Sequence, residues 1–178
     1  MSAGPPPVLI DSQTLQRRVA ALGVEVRAAC ADLDELTLVV VLRSAFVFAA
    51  DLARHIDLPT RVEFITLASY ADDTGRQDVR LVADFETALA GRHLLVVDDI
   101  IDSGHTLVYL DRILAAHRPA SVRRCVLLDK SARREVDVTV DHTGFTIDDV
   151  WVAGYGMDHG GLWRTLPYIG SVNRDTGG

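Results

Sequence analysis

Acids, hydroxyls and a glycine that could bind a sugar phosphate are concentrated in the segment 94–107, LLVVDDIIDSGHTL. In chain order these residues are Asp98, Asp99, Asp102, Ser103, Gly104 and Thr106. Carboxylates bind sugar hydroxyls and hard cations, whereas hydroxyls and free backbone N–H groups donate to phosphate oxygens. A glycine allows the backbone to approach a ligand closely. The residue types and their spacing therefore predict a sugar-phosphate site.

A buried strand and a helix are predicted to position these groups. The run from Leu94 to Val97 is aliphatic and β-branched, which is typical of a strand in a parallel sheet. Asp98 and Asp99 then fall at its carboxyl end, the edge at which open α/β sheets bind ligands. Apolar spacing predicts a helix from Thr106 to His117, so its first N–H groups would face the loop.

The same pattern also has a purely structural interpretation. Asp98 and Asp99 could be polar residues at a strand end, and Ser103-Gly104 could be a turn before a helix. Aspartate is a preferred N-cap residue, so position alone leaves both capping and catalysis open for Asp102.

Elsewhere the chain alternates between helical and strand patterns, which indicates an α/β fold with a mostly parallel sheet flanked by helices. The predicted helices are Ser12–Leu33 and Ala45–Ile56; the predicted strands are Leu36–Leu42, Val62–Leu67, Val79–Val82 and Val122–Leu128, with a polar loop over Ser69–Asp78.

Composition limits the classes of protein that fit. A chain of 178 residues with 48% hydrophobic content is long enough for one domain with a full core. A net charge of -7 argues against a broad nucleic-acid surface. The sequence has no apolar run of membrane-spanning length and no signal-peptide pattern, so a cytoplasmic location without membrane contact is expected.

Two further expectations concern cysteines and arginines. Cys30 and Cys125 lie far apart and lack metal-ligand spacing, so both are interpreted as buried small hydrophobes. The arginine pairs at 17–18, 123–124 and 133–134 are interpreted as solvated surface.

The segment from Val97 to Thr106 resembles the 5-phosphoribosyl 1-pyrophosphate (PRPP) binding motif of type I phosphoribosyltransferases. The similarity extends to hypoxanthine-guanine phosphoribosyltransferases over nearly the whole chain after Pro7. Its other matching segments are Val41–Ile56, Thr66–Val82, Leu127–Val136 and Thr143–Gly170. The resemblance implies one phosphoribosyltransferase domain over residues 1–178, with a core at about 34–130 and a small hood from about 8–15 and 131–170.

Residue roles follow from this resemblance position by position. The implied PRPP-binding residues are Arg43, Ser44, Asp98, Asp99, Asp102, Ser103, Gly104, His105, Thr106 and Arg164. Asp102 matches the general base, and Ser69-Tyr70 matches the mobile loop that closes over the site. The implied base-binding residues are Lys130, Trp151, Val152 and Asp158, and the implied Mg²⁺ ligands are Asp98, Asp99 and Asp158.

Two of these roles have structural alternatives. Lys130 follows an apolar run and could be a solvated lysine at a strand end. Trp151 lies in a strand-like run, where an aromatic is usually part of the core.

Four segments depart from the family pattern, one of which is the mobile loop, which reads ADDTGRQD over 71–78 instead of a serine- and glycine-rich stretch. Arg43-Ser44 stands where the family has a Lys-Gly pair, often with a cis peptide, and Asp98 replaces a glutamate. His159 to Gly161 is less bulky than is usual in the family.

The resemblance implies transfer of the phosphoribosyl group from PRPP to hypoxanthine or guanine, because lysine supplies only hydrogen-bond donors to an exocyclic oxygen. A transferase for a deazapurine or another modified purine is one alternative, and a PRPP-sensing regulator with little catalysis is another. The implied partners are PRPP, a purine base and Mg²⁺, with a homo-oligomer, dimer or tetramer, as the expected assembly.

Overall fold

The computed structural model describes residues 4–71, 77–83, 85 and 87–172, and it has two sheets and three α-helices within those ranges. The helices are α1 Ser12–Ala29, α2 Phe46–His55 and α3 His105–Ala116. The strands are β1 Val8–Ile10, β2 Leu36–Leu42, β3 Thr60–Ala71, β4 Gln77–Ala83, β5 His93–Ile101, β6 Ser121–Asp129, β7 His142–Thr146, β8 Trp151–Ala153 and β9 Ile169–Val172. None of the helices described is long and apolar enough to cross a membrane.

The larger sheet has six strands in the order β4-β3-β2-β5-β6-β7. Every neighbouring pair in it is parallel except β3 with β4. A small antiparallel sheet, β1-β9-β8, joins the two ends of the described chain. The predicted α/β fold with a mostly parallel sheet is confirmed.

Both faces of the large sheet are buried at its central strands, where successive side chains point to opposite sides, whereas β3 leaves Val62 and Phe64 exposed. Leu38 and Val40 of β2 pack into the apolar cluster that includes α1 and α2. Val39 and Val41 pack into the second cluster, with α3. This two-sided burial explains why the central strands are continuous apolar runs.

A crevice for ligands arises between β2 and β5. These strands are neighbours, but the chain leaves β2 toward β3 on one side and leaves β5 toward β6 on the other. Pairing of β2 with β5 ends at Val40 and Val97, whereas β5 continues beside β6 until Ile101 faces Asp129. Asp98 and Asp99 therefore lie just past the point where the two strands separate, which is a topological switch point.

Several predicted bounds were wrong. β5 runs through Ile101, so the two acids lie inside the strand and not after it. α1 ends at Ala29, because Cys30 forms its C-cap and the chain then turns toward β2 through a segment rich in aspartate, a weak helix former.

The polar loop predicted over Ser69–Asp78 is shorter in the structure. Antiparallel pairing of Ser69 with Val79 and of Ala71 with Gln77 extends β3 and β4 into it. The pairing satisfies backbone N–H and C=O groups, and the polarity of the side chains does not show whether such a partner strand is present. Residues 72–76 lie outside the described part of the chain.

The C-terminal part of the chain is divided between the two sheets. β7 falls within the range expected for the hood, yet it pairs in parallel with β6 in the large sheet. β8 and β9 form the small sheet with β1. The division of the chain into core and hood stays a prediction.

Candidate active site

A cleft opens where β5 gives way to α3. It is lined by the end of β5, including Asp98, by the loop that connects β5 to α3, and by the first turn of α3. The lining residues are Asp98, Ile100, Ile101, Asp102, Ser103, Gly104, Thr106 and Leu107. The residues predicted to hold a sugar phosphate are thus brought together, and we call residues 98–106 the sugar-phosphate side.

Asp98 and Asp99 form a buried acidic pair, with 5% and 9% of their surface exposed. Burial and the neighbouring Asp99 carboxylate raise the pKa of Asp98 well above its usual range. Burial raises the pKa of Asp99 to about 6, against the opposing effect of hydrogen bonds and of the Arg164 guanidinium. One Asp98 oxygen accepts a hydrogen bond from the Asp99 backbone N–H at 3.0 Å.

The acidic pair fits a hard divalent cation. Among the described residues, neither carboxylate forms an ion pair with Lys, Arg or His within 4 Å. No group of three or more metal-binding side chains occurs in the described ranges. A cation there would need further oxygen ligands from water or substrate, which is how Mg²⁺ is usually held.

The helix α3 begins without a side-chain cap. Its N-cap is Gly104, with φ +94°, and no side chain in the described part of the chain caps the first turn. Asp102 is therefore not the N-cap, and that structural alternative is wrong. The uncapped N–H groups face the loop, where they suit a phosphate.

Gly104 also has no room for a side chain. An added Cβ would lie 2.9 Å from Val136 Cγ2 and 3.0 Å from Val138 Cγ1. The segment around these valines covers the loop, and the backbone N–H groups of Glu135 and Val136 both donate to the Ser103 carbonyl.

His105 is held on the outside of this loop. Its ring Nε2 lies 2.9 Å from a Glu135 carboxylate oxygen, with both side chains exposed. His105 is not among the residues that line the cleft.

Lys130 and Asp102 meet on the other side of the loop, although 28 positions of sequence separate them. Lys130 Nζ lies 3.7 Å from Asp102 Oδ2 and 3.7 Å from Asp149 Oδ1. Lys130 has only 6% of its surface exposed, so its interpretation as a solvated strand-end residue is wrong. Its backbone N–H donates to the Ile101 carbonyl, which fixes it against the end of β5.

Arg133 joins the same cluster. Its Nε lies 2.6 Å from Asp102 Oδ1 and its Nη1 donates to Asp149 Oδ2 at 3.1 Å. The Nε–H does not point at the Asp102 oxygen, so this contact compensates charge without forming a hydrogen bond. The neighbouring carboxylates raise the pKa of Arg133.

Trp151 lies beside this cluster with 56% of its surface exposed, so the alternative that it belongs to the core is wrong. Lys130 Nζ stands 5.8 Å from the centre of its ring. Val152 follows in β8, an edge strand of the small sheet whose outer backbone edge has no strand partner in the described ranges. We call Asp102, Lys130, Arg133, Asp149 and Trp151 the base side.

Arg164 connects two other segments. Its Nη1 donates to Ser44 Oγ at 3.1 Å and to the Gly156 carbonyl at 2.7 Å, and its Nη2 lies 2.5 Å from Asp158 Oδ1. The second Asp158 oxygen accepts from the Gly161 N–H at 2.8 Å. A cation bound by Asp158 would therefore share that carboxylate with Arg164.

The first loop, residues 42–45, packs against this arrangement. A Cβ on Gly156 would lie 2.2 Å from the Ser44 carbonyl oxygen, so the two backbones touch. The structure has a cis peptide bond between Leu42 and Arg43, one position before the Arg43-Ser44 bond considered from the sequence.

The predicted mobile-loop pair is described only through its backbone. Ser69 and Tyr70 pair with Val79 and Asp78 in the β3–β4 hairpin. The side chains of both residues, and with them any closing role, lie outside what the structure describes.

Sequence reasoning missed Arg133 and Asp149. Arg133 was assigned to solvated surface, and its side chain is 41% exposed, but that assignment did not foresee its contacts with two carboxylates. The other arginine pairs also contain paired members: Arg124 Nη2 lies 2.6 Å from Asp111, and Arg18 binds Glu25 and two backbone carbonyls. The only sequence signal for Arg133 is its place three residues after Lys130.

Comparison with known proteins agrees with this geometry. Residues 9–159 match the family model described as a phosphoribosyl transferase domain. The hypoxanthine phosphoribosyltransferase of Haemophilus influenzae is 43% identical over 168 residues, covering 93% of this chain and 94% of that protein. The hypoxanthine-guanine phosphoribosyltransferase of Bacillus subtilis is 38% identical over 164 residues, covering 92% and 91%.

A solved structure is similar throughout. The crystal structure of a hypoxanthine-guanine phosphoribosyltransferase from Bacillus anthracis superposes with a TM-score of 0.88 at 37% identity, covering 96% of this chain and 100% of that one. With the matched family model and the relatives above, this shows that the chain belongs to the phosphoribosyltransferase family, in the group of hypoxanthine and hypoxanthine-guanine phosphoribosyltransferases.

Proposed function

We propose that this protein transfers the 5-phosphoribosyl group from PRPP to a ring nitrogen of hypoxanthine or guanine, releasing pyrophosphate. The observation that carries the proposal is the junction of the two sides of the site at Asp102. This residue lines the phosphate cleft and also lies 3.7 Å from Lys130, beside an exposed tryptophan. A sugar phosphate and a flat base can therefore meet at one carboxylate.

The sugar-phosphate side would bind PRPP. Backbone N–H groups at the start of α3 and the hydroxyls of Ser103 and Thr106 would hold the 5′-phosphate. Asp98 and Asp99 would accept hydrogen bonds from the ribose hydroxyls. Arg164, aided by Arg43 and Ser44, would hold the pyrophosphate, since a guanidinium binds phosphate oxygens through two parallel bonds.

Magnesium fits the acidic pair. Asp98 and Asp99 would hold it, with Asp158 as the candidate for a second ion, and it would supply positive charge to neutralise the departing pyrophosphate. Burial of the two adjacent carboxylates is the feature of this chain that supports the assignment.

The base side would orient the purine. Lys130 would donate to the exocyclic oxygen at carbon six, Trp151 would stack on the ring, and the backbone of Val152 would complete recognition. As the ring nitrogen bonds to the anomeric carbon, the bond to pyrophosphate breaks and the pyrophosphate leaves with the electron pair. Asp102 would accept the proton that the base then loses.

Closure of the site is expected to involve Ser69 and Tyr70, which would exclude water from the oxocarbenium-like centre. This role rests on the family resemblance alone.

The test is an assay with PRPP and Mg²⁺, offering hypoxanthine, guanine, xanthine, adenine and a deazaguanine in parallel. We expect nucleotide and pyrophosphate in equal amounts with hypoxanthine or guanine. Turnover of the deazaguanine alone would replace the proposal with a specialised base. Tight PRPP binding without turnover of any base would contradict it in favour of a PRPP sensor.

A further inference from the structure

Lys130 stands at the centre of a cluster in which cations and carboxylates alternate. Its Nζ lies 3.7 Å from an oxygen of Asp102 and 3.7 Å from an oxygen of Asp149, and Arg133 contacts the other oxygen of each carboxylate. Both carboxylates are thus shared between the two cations.

The two cations differ in burial and in closeness of contact. The Lys130 side chain is only 7% exposed, whereas that of Arg133 is 41% exposed. A buried ammonium gains from close carboxylate partners, yet both of its contacts exceed hydrogen-bonding distance. Arg133 makes the short contacts instead, at 2.6 Å to Asp102 and 3.1 Å to Asp149.

The local backbone explains how one arginine reaches both acids. Residues 131–133 form a 3₁₀ turn, and the Arg133 N–H donates to the Lys130 carbonyl at 2.9 Å. Side chains three positions apart are eclipsed in such a turn, so Arg133 projects on the same side as Lys130. A guanidinium offers several donors in a fixed plane, which suits two carboxylates at once.

We propose that Arg133 is a positioning residue for the purine base: by binding Asp102 and Asp149 it keeps Lys130 from closing onto either carboxylate, so that the ammonium stays available to the exocyclic oxygen of the base. It also places positive charge beside Asp102. This inference rests on the proposed function, because it concerns how Lys130 and Asp102 meet the base.

The test compares Arg133→Gln, Arg133→Lys and the parent protein. Arg61→Gln is the matched control, since Arg61 also contacts one carboxylate through Nε and Nη2 but lies on the exposed surface. For each protein we would measure kcat, the KM values for hypoxanthine and PRPP, the pH profile of kcat/KM, and the melting temperature.

For Arg133→Gln we expect kcat/KM for hypoxanthine to fall about 10- to 100-fold, the range for loss of a charged contact. The KM for PRPP and the melting temperature should stay near the parent values, because partly exposed ion pairs add little stability. Arg133→Lys should restore part of the loss, and Arg61→Gln should match the parent.

An unchanged kcat/KM for hypoxanthine in Arg133→Gln would overturn the inference while leaving the proposed function standing. Equal rises in the KM values for hypoxanthine and PRPP, with a lower melting temperature, would also overturn it by indicating a purely structural role. A parent protein that turns over no purine base would instead refute the proposed function, and the inference with it.

Discussion

The two sides of the site are built in contrasting ways. The sugar-phosphate side comes from one continuous stretch, residues 98–106, in which a strand passes directly into a helix. The base side is assembled from Asp102, Lys130, Arg133, Asp149 and Trp151, which lie in three separate parts of the chain. Phosphate binding uses backbone groups that local geometry provides, whereas base selection needs side chains that only folding brings together.

Asp102 is where the two sides meet, so its loss should have the largest effect. Asp102→Asn keeps the shape of the side chain but removes the proton acceptor, and we expect kcat to fall about 10²- to 10⁴-fold. The KM for PRPP should change little. Steady-state kinetics would check this, and a kcat within a few-fold of the parent would show that Asp102 is not the base.

Gly104 tests the sugar-phosphate side. In Gly104→Ala the new methyl group would lie 2.9 Å from Val136 on a backbone with φ +94°, so the loop must shift. We expect the KM for PRPP to rise about 10- to 100-fold, because misplacement by about 1 Å is costly in a preorganised site.

Gly91→Ala is the control for this change, since Gly91 has φ +73° and open space around it. It carries the strain of a positive φ without the crowding. Equal kinetic losses in the two variants would contradict the assignment of the effect to the loop.

Lys130 tests the base side. Lys130→Met keeps the length and apolar stem but removes the donor, so we expect the KM for hypoxanthine to rise about 10-fold or more. The KM for PRPP should be unaffected. A rise in the KM for PRPP alone would show that Lys130 belongs to the sugar-phosphate side and not to the base side.

Asp99 links the sugar-phosphate side to stability. Its pKa is raised from 3.8 to about 6 by burial. A raised folded-state pKa gives stability that is fully present below the unfolded value of about 3.8 and is lost as the pH rises through about 6. At pH 8 the ligand-free protein therefore carries a penalty, which Asp99→Asn would remove.

We expect Asp99→Asn to unfold at a higher temperature than the parent at pH 8, because its free energy of unfolding should be higher by up to about 3 kcal/mol. Binding of PRPP should be lost. Thermal melts between pH 4 and 8 would measure this, with the exposed Asp32→Asn as control. A gain that is the same at pH 4 and pH 8 would show that titration is not its cause.

Much of the fold could be predicted from the sequence. β2 and the central part of β5 are apolar runs, and buried parallel strands produce that pattern. The extension of β3 and β4 was missed, because antiparallel pairing of polar residues depends on a partner strand and leaves no local signal.

Part of the candidate site could likewise be predicted from the sequence, and part of it could not. Gly104 and the hydroxyls around it could be identified by spacing, since a strand-loop-helix unit fixes their geometry. The burial of Lys130 could not be deduced from its position at a strand end, and neither could the contacts of the partly exposed Arg133 with two carboxylates. An arginine in a sequence looks the same whether it faces water or two carboxylates.

The sequence by itself determined the family and the sugar-phosphate side, because both depend on residues that are neighbours along the chain. Tertiary structure alone decided that Arg133 and Asp149 share the base side with Lys130, and that Arg164 links Ser44 with Asp158. The physical reason is the sequence distance over which each interaction acts. Backbone geometry is set by the dihedral preferences of neighbouring residues. Contacts between charges that are far apart in sequence form only after folding has brought the ends of the strands together.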